Sequence, residues 1–353
     1  MSKDATMNPE ANFRLLQSAA EQGYAPAQFA LGTAYDKGEG GLEDAVLAVK
    51  WYQRAAEQGH VEAQFNLGKM YADGRGTSRD VTKAFYWKQK AAKQGHVPAQ
   101  FSLGLTYGVG EGVQQDLIEA ARWLQVAAEQ DHIEAQFALG MLYASGEGVK
   151  KNPSAALKWY RVAAEQGHVL AQFSLGAMYA DGDGIPKDPH EAIRWLQKAG
   201  EQGHAEAQFQ LGVLYGLGDG IPKNPSLAVS WIHQAAEQNY VSAQFALAII
   251  YSDGDEIPKD SAMAAKWARK AAENGHSQAQ ALLAFMYANG NGVLKDEVEA
   301  LAWFYIAKSN DSDDEEINRN IGALEQKLGA ENTLSAQRYS RELLKTLPFS
   351  FFS

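Results

Sequence analysis

The chain has 353 residues, of which 46% are hydrophobic, and it carries a formal net charge of −11 at pH 7. The acidic surface that this charge predicts argues against a nucleic acid or an anionic membrane surface as the binding partner. The chain contains no cysteine, which excludes disulfide bonds, thiolate zinc sites and a cysteine nucleophile.

The first segment, residues 1–24, corresponds to half of a unit that recurs later in the chain. Asn8-Pro9 can cap and start a helix, so we expect one N-terminal cap helix in this segment. The segment holds no basic region followed by an apolar one, and no run of about 18 apolar residues occurs later. The sequence therefore predicts a cytoplasmic protein with no membrane insertion, and secretion by a leaderless route remains open.

A nine-residue segment, Ala-Gln-Phe-Ala-Leu-Gly-Thr-Ala-Tyr at residues 27–35, recurs in related form at an interval of 36 residues. Its glutamine returns at every step, as Gln28, Gln64, Gln100, Gln136, Gln172, Gln208, Gln244 and Gln280. All eight tryptophans keep the same interval, at Trp51, Trp87, Trp123, Trp159, Trp195, Trp231, Trp267 and Trp303. A fixed period in this range is typical of a stacked repeat array. We therefore predict eight 36-residue repeats between residues 25 and 308.

Each repeat is expected to contain two helices, which we call helix A and helix B. In the first repeat, helix A is predicted at about residues 25–37 and helix B at about residues 44–58. A step of 100° per residue places Ala27, Leu31 and Tyr35 on one side of helix A, together with the neighbouring Gln28 and Gly32. That side is the predicted packing face.

Glycine and capping residues set the predicted ends of these helices. A glycine follows helix A in every repeat, beginning with Gly38, at a position where left-handed backbone commonly ends a helix. Asp188-Pro189 and Asn224-Pro225 have the residue types that cap and start a helix, here helix B.

Repeats that read Ala-Gln-Phe-x-Leu-Gly-x-x-Tyr, followed by Ala-x-x-Trp-x-x-x-Ala-Ala-Glu-Gln-Gly-His, resemble the Sel-one-like repeat family. The resemblance covers residues from about 8 to 308 and weakens late in the chain. There Ala248 and Ala284 replace the glycine of helix A, and Ala281 replaces the phenylalanine. The resemblance implies an all-α fold, a right-handed α/α superhelical solenoid of eight repeats related to tetratricopeptide repeats, with helical caps at both ends.

The repeat pattern stops after Trp303. A polar, acidic segment at residues 309–316 precedes two predicted amphipathic helices, near 317–328 and 332–346, which we interpret as C-terminal capping helices within 309–347. Residues 348–353 form an apolar tail, predicted to be loose or folded back on the cap. We expect a monomer, with self-association through the tail as the alternative.

Six of the eight histidines occupy one repeat position just after helix B. They are His60, His96, His132, His168, His204 and His276. Successive helices of a stack lie about 8–10 Å apart, and Zn–N bonds are about 2 Å long, so equivalent histidines cannot share one ion. The sequence therefore predicts a packing role for them and no metal site.

The sequence carries no recognisable catalytic or cofactor motif. GxxxxGK[ST], GxSxG and HExxH are absent, and Asp181-Gly182-Asp183-Gly184 lacks the ligand spacing of a calcium loop. Conspicuous polar residues recur from repeat to repeat, whereas an active site is a single constellation. We therefore predict a protein without enzymatic activity or cofactor.

A hydrolase is the less favoured alternative. Relatives of the family have been described as β-lactam-binding or β-lactam-hydrolysing, but they belong to a cysteine-rich branch, and this chain has neither cysteine nor SxxK. A cluster of His190 or His233 with carboxylates would favour catalysis.

Recognition is expected where the repeats differ on an exposed face. The resemblance to tetratricopeptide solenoids implies that helix A lines a concave surface, at positions equivalent to 30, 33 and 37 of the first repeat. The candidate residues for binding a partner are Asn66, Lys69, Asp73, Leu105, Val109, Met141, Ala177, Asp181, Gln210, Val213, Leu217, Ile249, Asp253 and Phe285. They predict an apolar floor with acidic spots and a polar N-terminal end.

Such a surface suits an extended peptide or a partner helix. The alternative is that Met141, Ile249 and Phe285 belong to the core. The favoured function is a protein-binding adaptor, and an exported bacterial factor that binds host or envelope proteins is the alternative that the family resemblance also allows.

Overall fold

The computed structural model describes residues 9–38, 43–255, 257–310 and 314–347. Within these ranges the regular secondary structure consists of α-helices alone, as the sequence predicts. The helices are α1 (Pro9–Glu21), α2 (Ala25–Lys37), α3 (Ala45–Glu57), α4 (Val61–Asp73), α5 (Val81–Lys93), α6 (Val97–Val109), α7 (Leu117–Ala128), α8 (Ile133–Ser145), α9 (Pro153–Glu165), α10 (Val169–Asp181), α11 (Pro189–Glu201), α12 (Ala205–Leu217), α13 (Pro225–Glu237), α14 (Val241–Asp253), α15 (Ser261–Glu273), α16 (Ser277–Asn289), α17 (Glu297–Asn310) and α18 (Glu315–Thr346).

The even-numbered helices from α2 to α16 are helices A, and the odd-numbered helices from α3 to α17 are helices B. The chain forms two compact units, unit 1 (residues 1–171) and unit 2 (residues 172–353). In each unit a helix packs mainly against the helix before it and the helix after it in the sequence. The predicted all-α repeat architecture is therefore confirmed.

The helix ends follow the capping chemistry expected from the sequence. Helix α3 begins after Asp44, whose carboxylate accepts a hydrogen bond from the Leu47 N–H at 2.9 Å. Asp188 and Asn224 cap α11 and α13, as predicted. Helix α2 ends at Gly38, where φ is +69°, a value that side-chain-bearing residues rarely adopt.

A glycine in the middle of helix A lets helix B approach closely. A Cβ on Gly32 would lie 2.8 Å from the Cδ1 atom of Tyr52, so only a hydrogen at this position leaves room for the tyrosine ring. In the seventh repeat, Ala248 replaces this glycine and the small Ala268 stands at the position equivalent to Tyr52. The two positions therefore compensate each other in volume.

The recurring glutamine of helix A is buried and connects three helices. The Gln64 amide donates to the Ala56 carbonyl of the preceding helix B at 3.1 Å and accepts from the Gln94 amide of its own repeat at 2.7 Å. The second of these bonds recurs in eight repeats as Gln58–Gln28, Gln94–Gln64, Gln130–Gln100, Gln166–Gln136, Gln202–Gln172, Gln238–Gln208, Asn274–Gln244 and Asn310–Gln280. We call this arrangement the glutamine bridge.

The last helix, α18, contains one break. Gly329 has φ +71° and ψ 175°, so two helical segments meet where the sequence predicts two separate helices. The Tyr305 hydroxyl donates to Glu325 at 2.6 Å and accepts from Gln337 at 3.5 Å, which places both segments along α17.

The predicted role of the tail at residues 348–353 lies outside the described residues. Among the helices that are described, none has both the length and the apolar character needed to cross a membrane.

Candidate functional site

The candidate residues for partner binding divide between the two units. The unit 1 face comprises Asn66, Lys69, Asp73, Leu105, Val109 and Met141. The unit 2 face comprises Ala177, Asp181, Gln210, Val213, Leu217, Ile249, Asp253 and Phe285. Each face is described within its own unit.

Apolar residues on both faces are exposed to solvent. On the unit 1 face, Leu105 is 46% exposed and Met141 is 45% exposed. On the unit 2 face, Val213 is 37% exposed and Ile249 is 36% exposed. These side chains therefore do not belong to the core, which was the alternative for Met141, Ile249 and Phe285. Phe285 differs from the other two, because it is half-buried and packs against the core, with its ring 4.9 Å from that of Phe304.

The other candidate residues differ in exposure. Half-buried side chains are found at Asn66, Ala177, Gln210 and Phe285. Exposed side chains are found at Lys69, Asp73, Val109, Asp181, Leu217 and Asp253. Within the described ranges, no hydrogen bond or ion pair joins any two candidate residues.

A phenol group connects successive helices A on the unit 1 side. The Tyr52 hydroxyl donates to Thr33 at 3.2 Å and lies within hydrogen-bonding reach of Asn66 on the next helix A. Burial raises the pKa of Tyr52, so the phenol stays neutral near pH 7. The tip of this helix B residue therefore holds positions 30 and 33 of neighbouring repeats together.

The second repeat places a lysine at the same position. Lys88 passes over Gly68, where a Cβ would lie 3.0 Å from the lysine Cγ. Burial lowers the pKa of Lys88, whereas the carboxylates of Glu111 and Asp73 counteract this shift. The other seven repeats have a buried apolar or aromatic residue here: Tyr52, Leu124, Tyr160, Leu196, Ile232, Ala268 and Phe304. The second repeat alone therefore brings a partly buried ammonium group next to two candidate residues, Lys69 and Asp73.

The repeated histidines cap the helix A that follows them and stack on the phenylalanine of the repeat that they end. The His168 Nδ1 atom accepts from the Ala171 N–H at 3.1 Å, and its ring lies 4.6 Å from the Phe137 ring. The six histidines make equivalent capping bonds of 3.1–3.4 Å. Their predicted packing role is confirmed, and it includes capping, which the sequence interpretation did not foresee.

The aromatic pair at the junction with the next repeat recurs seven times. The pairs are Phe29–His60, Phe65–His96, Phe101–His132, Phe137–His168, Phe173–His204, Phe209–Tyr240 and Phe245–His276, with ring centroids 4.3–5.4 Å apart. In the eighth repeat Ala281 replaces the phenylalanine and Ser312 stands at the histidine position. The series of ring pairs therefore ends at Phe245 and His276.

A cavity of about 510 Å³ lies where this series ends in unit 2. Its apolar walls come from two successive helices A, α14 and α16, and from α18: Phe245, Ile249, Ala281, Leu282, Phe285 and Ile317. Asp314 and Glu316 contribute carboxylates to the lining. We call this cavity the end pocket. It brings together two candidate residues, Ile249 and Phe285.

Within the part of the chain that the structure describes, neither His190 nor His233 lies in a cluster of carboxylates, which is the arrangement that would favour catalysis. His190 lines a cavity of about 330 Å³ together with Tyr215 and Lys223, and no carboxylate contributes to that lining. His233 faces one carboxylate, that of Glu237, at 3.4 Å. Among the side chains that the structure describes, no group of three or more histidine, aspartate or glutamate residues is arranged to hold a metal ion.

Lys88 and the end pocket were not found by sequence reasoning, although each has a signal in the sequence. Lys88 is the one charged residue in an otherwise apolar series at the helix B position. Ala281 breaks the phenylalanine series, but the resulting cavity depends also on where α18 lies. Lys88 could have been identified from the sequence, whereas the end pocket could be identified only from the positions of the helices in the structure.

Comparison with known proteins identifies the repeat. The family model for the Sel1 repeat matches residues 8–24, 25–60, 61–96, 97–132, 133–168, 169–204, 205–240, 241–276 and 277–312. A search of curated proteins gives no match.

Two solved structures are similar to the chain at the same sequence identity. A Sel1 repeat protein from Oxalobacter formigenes is 33% identical, with a TM-score of 0.72 over 88% of this chain and 89% of that chain. A protective antigen present in uropathogenic Escherichia coli strains, which displays an SLR fold, is also 33% identical. It has a TM-score of 0.51 over 94% of this chain and 86% of its own.

Repeats of this type form folds similar to tetratricopeptide repeats, which generally mediate protein–protein interaction without catalysis. The family matches cover most of the sequence, and the described helices follow the same 36-residue period. The chain therefore belongs to the Sel1 repeat family.

Proposed function

We propose that the protein is a non-enzymatic adaptor that binds a peptide or a segment of a partner protein on its helix A faces. The observation that carries the proposal is the exposure of Leu105, Met141 and Val213 on helices whose leucines two residues earlier are fully buried. Exposed apolar side chains on a rigid support favour association, because their burial by a partner releases water.

The sequence differences between repeats support the same surface. The buried glutamine, alanine and leucine positions of helix A barely change from repeat to repeat, because they form the scaffold. The exposed positions carry lysine, aspartate, leucine, methionine and valine in different repeats. Different side chains at exposed positions of an otherwise constant helix allow a repeat array to recognise one partner selectively.

The test is the combined variant Leu105→Asp, Met141→Asp and Val213→Asp. We expect its helical content and melting temperature to match the wild type, because all three side chains are exposed. Captured partners, identified by mass spectrometry after affinity purification from the native organism, should be lost. The matched control is Val46→Asp, Ile118→Asp and Leu294→Asp, which places the same charges on exposed apolar residues away from helix A. An identical set of partners on both variants would reject the proposal.

A second candidate role is that of an exported factor acting outside the cell. The observation that favours it is the 33% identity to a protective antigen of uropathogenic Escherichia coli. Fractionation of the native organism distinguishes the two. An exported factor would be recovered from the medium or envelope together with secreted markers, and an intracellular adaptor would remain with a cytoplasmic marker.

A further inference from the structure

We propose that the end pocket binds one aromatic or large aliphatic side chain of a partner protein, in an extended segment that carries a lysine or arginine beside it. The proposal rests on the adaptor function and specifies the chemistry of one part of the unit 2 face. It commits to a protein segment as the occupant.

The eighth repeat lacks the ring pair that the other repeats contain. In seven repeats a phenylalanine of helix A stacks on the ring that begins the next helix A, and the two rings fill the space between the helices. At Ala281, which lines the end pocket, the side chain ends at Cβ. The cavity therefore occupies space that a phenylalanine side chain fills elsewhere in the protein. An apolar side chain supplied by a partner would restore the packing that the chain omits.

The second argument is the character of the walls. Phe245, Ile249, Leu282, Phe285 and Ile317 present apolar surface, and Ile317 is itself almost fully buried. Ile249 and Phe285 keep part of their surface open to solvent. Covering this surface with an apolar group contributes about 25 cal/mol for every Å² removed from water. An apolar side chain that enters between these residues is therefore favoured over a polar one.

The third argument is the charge at the pocket. The Asp314 carboxylate accepts hydrogen bonds from the N–H groups of Glu316 and Ile317, at 2.8 and 3.0 Å, which hold it at the start of α18. The Glu316 side chain is exposed, and within the described ranges no basic side chain forms an ion pair with Asp314 or Glu316. Two carboxylates without an internal cation favour a basic group on the ligand.

The same charge argues against other apolar ligands. A fatty acid or an anionic lipid would bring its own negative charge close to Asp314 and Glu316, which raises the electrostatic energy of the complex. A peptide can place its apolar side chain in the pocket and its basic side chain at the carboxylates. Two neighbouring residues of an extended peptide are enough to meet both requirements.

The experiment is selection from a phage-displayed library of random peptides on the full chain, followed by fluorescence anisotropy with synthetic copies of the selected sequence. We expect enrichment of peptides in which phenylalanine, leucine or methionine adjoins lysine or arginine. Replacing the apolar residue of the synthetic peptide by alanine should weaken binding about tenfold or more. Replacing the basic residue by glutamine should weaken binding and reduce its dependence on salt.

Two protein variants and one control separate the pocket from the rest of the face. Ala281→Phe should close the pocket with the residue that seven other repeats carry, and Ala281→Ser should leave it open. The double variant Asp314→Asn and Glu316→Gln removes both charges and keeps an acceptor for the helix cap. Peptide binding should be lost in Ala281→Phe, retained in Ala281→Ser and weakened in the charge variant, while all three keep the wild-type melting temperature within a few degrees.

The outcomes that contradict the inference are distinct. Recovery of the same peptides on Ala281→Phe, or enrichment of acidic or purely polar peptides, would overturn it. Tighter peptide binding by a chain that ends at Leu347 would assign the pocket to the apolar tail and would also overturn it. If Ala281→Phe leaves partner capture unchanged while the Leu105, Met141 and Val213 variant abolishes it, the pocket assignment fails and the adaptor function stands. If neither variant changes capture, both proposals fail.

Discussion

The second and the eighth repeats depart from the common pattern in opposite ways. The second repeat adds a charge to a position that the other repeats keep apolar, at Lys88. The eighth repeat removes a ring from a position that the other repeats keep aromatic, at Ala281. Each substitution reduces the apolar packing inside its own repeat, and each alters the surface of the neighbouring helix A. Residues that lower local stability in this way are expected at functional sites, where binding rather than stability determines the residue type.

The comparison separates scaffold from recognition. The buried residues that the two repeats share should be needed equally for folding in both. The residues that distinguish the two repeats should be dispensable for folding. Lys88 and Ala281 are therefore expected to tolerate the residue found in other repeats, whereas the buried glutamines should not tolerate replacement.

The largest effect is expected from the glutamine bridge, which both repeats contain. Gln64→Ala and Gln280→Ala each remove a buried amide and its hydrogen bond to a main-chain carbonyl, Ala56 or Ala272, which keeps its main-chain donors. We expect each change to lower the free energy of unfolding by about 2–3 kcal/mol, measured by urea denaturation. The exposed Gln53→Ala serves as the control and should cost about 0.5 kcal/mol or less. A large difference between Gln64→Ala and Gln280→Ala would show that the two repeats are not built on the same scaffold.

A smaller effect of opposite sign is expected at Lys88. Lys88→Leu places the residue of the third and fifth repeats at this position and should raise the free energy of unfolding by about 1 kcal/mol at neutral pH. The folded-state pKa of Lys88 is lowered, so the native state disfavours the charged lysine. Stability of the wild type therefore rises as pH increases through the folded pKa toward the unfolded value, and the advantage of leucine shrinks over that range.

The control for this change is Lys90→Leu on the exposed side of the same helix, which should leave stability nearly unchanged. Thermal unfolding followed by circular dichroism measures both variants. A loss of stability in Lys88→Leu would mean that its ion pairing outweighs the burial of its charge.

The smallest effect concerns the histidine caps, and it appears as a dependence on pH. Burial lowers the pKa values of His96, His168, His204 and His276. For His168 the nearby Glu134 carboxylate counteracts part of that shift. Because the unfolded chain binds protons more readily, the stability contribution is complete above about pH 6.5 and is lost as pH falls below it. Protonated Nδ1 also cannot accept the capping bond.

The matched substitution is His168→Asn, which retains a capping acceptor and does not titrate. We expect it to reduce the stability lost on acidification by about 0.5 kcal/mol. His190→Asn is the control, because the His190 side chain caps no helix. Urea unfolding at a series of pH values provides the measurement. Identical pH profiles for His168→Asn and the wild type would show that the histidine caps do not cause the loss of stability at low pH.

Much of the fold could be predicted from the sequence, because the 36-residue period repeats every local signal eight times. Helix α2 coincides with the predicted residues 25–37, and Gly38 adopts the left-handed conformation expected of it. The glutamine was placed on the packing face, but its bridge was not foreseen. Its partner lies 30 residues away, and the geometry that joins them depends on how two helices cross.

The candidate surface was predictable in outline and less so in detail. A helical wheel identified Leu105 and Met141 correctly as lying outside the packing face. It could not decide their exposure, which depends on the approach of neighbouring helices. Lys88 was missed because the repeat pattern of helix B rests on its recurring alanines and tryptophan, whereas the position after the tryptophan varies from repeat to repeat. The end pocket was missed because an absent ring creates a cavity only where a later helix, α18, closes its side.

The histidine caps also determine how the chain can change in length. Within each unit, a capping ring at the end of one repeat stacks on the phenylalanine of that repeat and caps the first helix of the next repeat. Neighbouring repeats therefore share the free energy of one helix end, and the loss of order in one repeat should spread to the next as a cooperative step. An insertion of a few residues would separate the ring from its partner. We infer that such arrays lengthen and shorten by whole 36-residue repeats, which preserve every such pair.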